Sequence, residues 1–166
     1  MTIQYAIIPS PFGRLLVAAT SRGLCAVRFG EPTTELERGL REEFGAAEIH
    51  RDDSALRPYV QPLLANLRGE NTTIDLPLDV RATAFQKKVW DELRRIPRGE
   101  TRSYSEVAHA IGDDKAVRAV ARACASNPVA IAVPCHRVVR SDGDISGYRW
   151  GVERKKKLLE QEQRES

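Results

Sequence analysis

Between Ser103 and Ala125 the chain sets two short helical segments on either side of a glycine-bearing turn, a pattern that by itself also occurs in many proteins that never meet DNA. Ser103 caps a helix running to about Ile111, Glu106 three residues later completes a capping box, and Gly112 closes the segment. Beyond Asp113 and Asp114 a second helix carries Ala116, Val117, Val120, Ala121 and Cys124 on one side, with Lys115, Arg118 and Arg122 on another. Two helices joined by a glycine-containing turn of about three or four residues form the helix-turn-helix pattern, whose second helix is the usual DNA reader. The alanines at 116, 119, 121, 123 and 125 suit close approach to a groove and equally suit tight helix packing.

The first half has a different period. Ile3 to Pro9, Arg14 to Thr20 and Leu24 to Phe29 are rich in β-branched and other apolar residues, and Pro11-Phe12-Gly13 and Ser21-Arg22-Gly23 supply turns between them. These predict three strands in two successive hairpins of an antiparallel sheet. Leu36, Leu40 and Phe44 then recur at helical spacing, with Thr33 or Thr34 as cap and Gly45 as stop. A second helix is predicted over Ser54 to Leu67, although Pro58 and Pro62 fall inside its leucine stripe. After an extended stretch around Thr73 to Leu78, residues 79–83 read as a linker. Phe85, Val89, Trp90, Leu93 and Ile96 give the next helix one apolar face, which Pro97-Arg98-Gly99 terminates. The fold class is α+β, with domains at 1–80 and 81–166.

Charge divides at the same place. Residues 1–80 hold 8 Lys/Arg against 11 Asp/Glu (net −3), whereas residues 81–166 hold 18 against 12 (net +6). A basic second half suits a polyanion, and part of it, Arg154 to Lys157, is also explained as cations near a helix end. Cys25, Cys124 and Cys135 are widely spaced, form no C-x-x-C pair and point to free thiols in a reducing, cytoplasmic setting without a metal site. No basic leader precedes an apolar stretch, and no run reaches a membrane span of roughly 18 residues.

The run Pro134-Cys135-His136-Arg137-Val138-Val139 sets a thiol beside an imidazole. A free cysteine with a pKa of roughly 8.5 is mostly protonated at neutral pH, so a nucleophilic Cys135 needs a base, and His136 is the nearest one. On an extended strand adjacent side chains point to opposite faces, so a turn or a bridging water is needed to join them. Taken alone, the pair is better accounted for by a buried, inert Cys beside a surface His.

From Phe85 to Glu162 the chain resembles the O6-alkylguanine-DNA alkyltransferases. The matching segments are Phe85-Gln86, Val89-Trp90, Ile96-Pro97, Gly99-Glu100-Thr101, Ser103-Tyr104, 115–120, Asn127-Pro128, the Pro-Cys-His-Arg run, Ser146-Gly147-Tyr148 and Leu158-Leu159 with Glu162. The first eighty residues are similar to the family's N-terminal part, so the resemblance covers essentially the whole chain, closest to the Ada and Ogt types. It implies a small ribonuclease H-like antiparallel sheet with helices, followed by a mostly helical, winged helix-turn-helix-like subdomain. The implied activity is single-turnover DNA repair without a cofactor. An alkyl group on O6-alkylguanine, or O4-alkylthymine, passes to Cys135 after the nucleotide is flipped from the duplex.

The resemblance also implies roles by residue. Glu162 orients His136, which takes the Cys135 proton through water. The second helix enters the minor groove, Arg118 takes the place of the extruded nucleotide, and Tyr104 helps rotate the flanking phosphate. Tyr104, Tyr148, Ser141 and the backbone at Val138 hold the base, with Ser105 and Arg149 also at the DNA side. Asn127 ties the reader helix to the active-site strand. The partner is double-stranded DNA carrying the lesion, bound by a monomer, with cooperativity left open. Arg149 and Cys124 depart from some relatives and point to a narrower range of bulky lesions, and these 166 residues hold no counterpart of the methyl-sensing zinc domain of Ada-type regulators.

Two other classes compete. A non-catalytic helix-turn-helix lesion binder or regulator is disfavoured because such relatives lack the cysteine that stands at 135. A Cys-His hydrolase needs an oxyanion-hole glycine pattern, which is not evident, and leaves the reader helix idle. No Gly-x-Gly-x-x-Gly supports a nucleotide-dependent methyl donor enzyme.

Overall fold

The computed structural model describes residues 1–70, 74–145 and 147–165, the last without its side chain; Thr73 of the predicted extended stretch and Ser146 of the Ser-Gly-Tyr match lie outside them. The chain divides into two compact units, Met1–Val80 with Pro128–Ala132, and Arg81–Asn127 with Val133–Ser166.

In the first unit β1 (Thr2–Ile8), β2 (Arg14–Thr20) and β3 (Gly23–Gly30) form the two expected hairpins. A fourth strand, β4 (Glu48–Arg51), pairs parallel with β1, so the sheet is mixed rather than antiparallel, in the order β3-β2-β1-β4. Between them lies α1 (Thr33–Glu43), which lays Leu36 and Leu40 on a core of Ile3, Tyr5, Ile7, Leu16 and Ala26. Neither Thr33 nor Thr34 caps it: Pro32 occupies the N-cap position, without a side-chain acceptor. The second helix, α2 (Arg57–Leu67), starts three residues later than expected because Pro58 sits in its first turn, where its missing N–H does no harm; Pro62 is accommodated inside the helix.

Two segments close the outer edge of β3. Leu24 donates its amide to the Pro77 carbonyl (2.9 Å) and accepts from Asp79 (2.7 Å), while Val27 donates to Pro128 and accepts from Ala130, both at 3.0 Å. The first contact explains Gly23, where φ is +151° and a Cβ would stand 2.5 Å from the Pro77 oxygen. Through the second contact Pro128–Ala132 belongs with the first unit, although in sequence it lies between the two stretches of the second. Ala132 there donates to the Ala130 carbonyl (2.7 Å) around Ile131, whose φ of +70° is strained for a β-branched residue.

The second unit opens with α3 (Ala84–Leu93), held by a capping box between Thr83 and Gln86, with Val89, Trp90 and Leu93 buried. The short β5 (Arg102–Ser103) leads directly into α4 (Tyr104–Ala110), where Ser103 and Glu106 form the expected capping box. After the turn at Gly112 comes α5 (Val117–Ala125), with Val120, Ala123 and Cys124 buried and Arg118 exposed. The Trp90 indole donates to the Ala123 carbonyl (2.9 Å), fixing α5 on α3. A single 3-10 turn, Cys135–Arg137, precedes β6 (Val138–Val139), which pairs parallel with β5. The last helix is α6 (Val152–Glu165). Among the described residues no helix is long and apolar enough to cross a membrane.

Candidate active site

The β5–β6 pairing sets the site. Arg102 pairs with Val138 and Ser103 with Val139 in parallel, so the turn ending at Arg137 enters this two-residue ribbon at one end and Tyr104, at the start of α4, leaves it at the other. The 3-10 turn supplies the bend that an extended Cys-His pair lacks, and it buries all three of its side chains. Cys135 is 4% exposed and His136 is 1% exposed, so the imidazole is not at the surface.

Asn127, just beyond the end of α5, holds the sulfur. Its side-chain amide donates to the Val133 carbonyl (2.8 Å) and to Cys135 Sγ (3.3 Å). Behind the thiol, His136 Nε2 lies 2.9 Å from Glu162 Oε2. Glu162 also accepts from Arg137 Nε (2.9 Å) and Nη2 (3.1 Å), and Arg98 approaches to 3.8 Å. Burial works to raise the Glu162 pKa, but the hydrogen bonds and charges of His136 and Arg137 outweigh it and bring the pKa to about 2. The carboxylate is therefore ionised and can only accept, which places the His136 proton on Nε2 and leaves Nδ1 as the basic nitrogen. Burial lowers the His136 pKa against the pull of Glu162, so the ring rests neutral.

Burial raises the Cys135 pKa to about 11, opposed by the Asn127 hydrogen bond, the Lys155 charge, the backbone and the Arg149 charge. The resting thiol is thus protonated. Lys155 is fully buried in α6, donating to the carbonyls of Val138 (2.7 Å) and Gly147 (3.1 Å), and burial lowers its own pKa.

A cavity of about 490 Å³ opens onto Cys135. Tyr104, Arg118, Cys124, Tyr148 and Arg149 line it, with Val117, Ala121 and Ala125 of α5 along one wall. The small side chains thus serve cavity formation on one face of α5 while Val120 and Ala123 pack inward. Arg149 donates to the Asn127 carbonyl (2.8 Å) and lies 5.5 Å from the Trp150 ring centroid. Burial, then Cys124 and Cys135, raise the Tyr104 pKa to about 12, so its phenol remains a donor.

Tyr104, Arg118, Cys135, Tyr148 and Arg149 share the cavity, whereas Ser105, Val138 and Ser141 do not line it. Ser105 and Ser141 hydroxyls instead face each other at 3.2 Å, and the Val138 carbonyl is engaged by Lys155. Arg154 to Lys157 lie in the first half of α6, not near its C-terminal end, so the helix-end explanation for these cations fails. Arg137, Arg98 and Lys155 were missed. Lys155, Leu158, Leu159 and Glu162 follow the i, i+3, i+4, i+7 spacing of one helix face, a pattern that could have shown Lys155 turned inward. Among the described residues no group of three or more His, Cys, Asp or Glu side chains is placed to hold a metal ion.

A thiol at a cavity wall, a neutral imidazole backed by a carboxylate and two helices on either side of a glycine turn are brought together in this chain. Two sequence profiles match it: the ribonuclease-like domain of 6-O-methylguanine DNA methyltransferase over residues 3–80, and the DNA binding domain of the same enzyme over residues 84–164. The chain belongs to the 6-O-methylguanine DNA methyltransferase family. It is 49% identical over 162 residues to the bifunctional transcriptional activator/DNA repair enzyme Ada of Escherichia coli, covering 98% of this chain but 46% of that protein, about half its length. It is 43% identical to the methylated-DNA--protein-cysteine methyltransferase of Mycobacterium tuberculosis, covering 96% of this chain and 92% of the relative. The crystal structure of Mycobacterium tuberculosis OGT in complex with DNA superposes with a TM-score of 0.84 at 40% identity, over 98% of this chain and 94% of that one.

Proposed function

We propose that this protein repairs alkylated DNA by moving the alkyl group of O6-alkylguanine, or of O4-alkylthymine, onto its own Cys135, once per molecule. The observation that carries this reading is the Cys135 thiol at the wall of a cavity flanked by α5, with Asn127 on its sulfur and His136 and Glu162 behind it. The target oxygen is inside a paired duplex, so the nucleotide must be turned out, at a cost of a few kcal/mol that weak pairing of the lesion reduces. Arg118 fills the gap left in the stack, a role supported by its exposure at the cavity on a helix of small residues. Tyr104 and Tyr148 flank the base, and Asn127 ties the reader helix to the thiol.

The chemistry balances without a cofactor. The Cys135 proton passes through water to His136 Nδ1, and the imidazolium so formed is stabilised by Glu162. The thiolate attacks the alkyl carbon, an S–C bond forms, and the C–O6 bond breaks with its electron pair going to guanine. Guanine regains a proton from the Tyr104 hydroxyl or the imidazolium. Because the thioether does not hydrolyse, no turnover follows. The partner is double-stranded DNA bound by a monomer, and three free buried cysteines fit a reducing cytoplasm.

Equimolar protein and O6-methylguanine duplex should yield one methyl mass on the peptide containing Cys135. Multiple turnovers, or a label on Cys25 or Cys124 instead, would falsify the reading. Cys135→Ser should keep DNA binding and abolish transfer, whereas Arg118→Ala should weaken flipping with thiol reactivity retained. Loss of DNA binding in Cys135→Ser would count against this division of roles.

A further inference from the structure

Two buried polar atoms beside Cys135 have no hydrogen-bond partner among the described residues: His136 Nδ1 and the Tyr148 hydroxyl. The two rings meet edge to face, with centroids 6.5 Å apart at 73°. Tyr148 also shares the cavity wall with Cys135. Its ring packs on Trp150 at 5.3 Å, a contact that phenylalanine would make equally well. Packing therefore explains the ring and leaves the hydroxyl unexplained, although a buried hydroxyl left unsatisfied is destabilising. A polar site between two such atoms and a thiol has the partners a bound water needs.

We propose that the Tyr148 hydroxyl is a positioning group of the proton relay, donating to the water that links Cys135 Sγ to His136 Nδ1. The inference rests on the alkyl-transfer reading above. In the resting state the water accepts from the Cys135 S–H and from Tyr148, and donates to Nδ1. After transfer it accepts from the imidazolium Nδ1–H and from Tyr148, and donates to the thiolate. Tyr148 keeps its proton throughout; only the sulfur loses one and only His136 gains one. With Tyr148 donating in both states, the water is a stronger donor to the thiolate than it would be alone.

The surrounding charges are consistent with that role. Burial first, then Cys135 and Glu162, hold the Tyr148 pKa well above its ordinary value against Arg154, so the phenol stays a donor. Lys155 from α6 and Arg149 from the preceding loop favour the thiolate. Cys124 on α5 and Tyr104 on α4 are both raised by burial and remain neutral donors nearby.

The test measures Cys135 alkylation by iodoacetamide against pH, read as mass on the Cys135 peptide, so that no base needs to bind. In Tyr148→Phe the midpoint should move upward and the rate near neutral pH should fall by up to about tenfold, the scale of one lost hydrogen bond. Methyl transfer from duplex DNA should fall in the same proportion. In a His136→Gln background the Tyr148→Phe change should have no further effect. Superimposable pH profiles overturn the proposal, as does a lower rate with an unmoved midpoint, which assigns Tyr148 to base contact or packing. Should Tyr148→Phe fold poorly, 3-fluorotyrosine at position 148, a more acidic donor of nearly the same shape, should move the midpoint downward; no movement overturns the proposal. Failure of the native chain to take methyl from DNA would remove the functional reading, while the iodoacetamide profiles would still decide the role of the hydroxyl.

Discussion

Replacing Glu162 by Gln separates charge from shape at the centre of the site. The native carboxylate, 2% exposed, accepts from His136 and twice from Arg137, with Arg98 close by. Its pKa falls from 4.5 to about 2 because the hydrogen bonds and charges of its partners exceed the penalty of burial. A depression of that size corresponds to about 3 kcal/mol of folding stability at neutral pH. Removing one partner from a buried ion pair is destabilising by about 3–5 kcal/mol, so the two routes agree. Glu162→Gln should therefore lose about 3 kcal/mol in urea denaturation at pH 7. The folded-state pKa lies below the unfolded one, so this contribution is complete above about pH 4.5 and is lost as pH falls toward about 2. The gap between native and variant should be level from neutral pH to mildly acidic pH and then close. A gap that stays level through the whole acid range, or no gap at neutral pH, refutes the reasoning.

Other perturbations address separate features. Lys155→Met removes a buried cation that faces Cys135 and leaves the Val138 and Gly147 carbonyls without their donor. The thiol midpoint in iodoacetamide labelling should rise, and stability in urea should fall by about 1–3 kcal/mol. Gly23→Ala places a Cβ 2.5 Å from the Pro77 oxygen at a φ that disfavours side chains, so it should destabilise the first unit by about 2 kcal/mol or more. A native-like thermal midpoint for that variant would contradict the close approach.

The parts legible in the sequence were those where chemistry and period coincide. Ser103 with Glu106, the stripe of α3 and the three apolar strands each state their geometry locally, and the structure has them within a few residues. What escaped depends on partners far along the chain. β4 is four residues of mainly polar character, recognisable only by its parallel pairing with β1. Pro128–Ala132 looks like the approach to the thiol, yet its backbone completes the edge of β3. Arg137 and Lys155 read as surface cations because sequence hydropathy cannot show a buried charge whose partners are a distant carboxylate and backbone carbonyls. Glu162 sat in a run of charges and was legible only through resemblance to a family.

The depth of Cys135 has a meaning for how such a protein is kept. If each molecule acts once, any thiol lost to a passing oxidant or small electrophile is capacity removed before damage arrives. A sulfur with 4% exposure and a pKa of about 11 is a poor target for such reagents, which attack thiolates. The same burial that makes the resting thiol sluggish gives it a long shelf life.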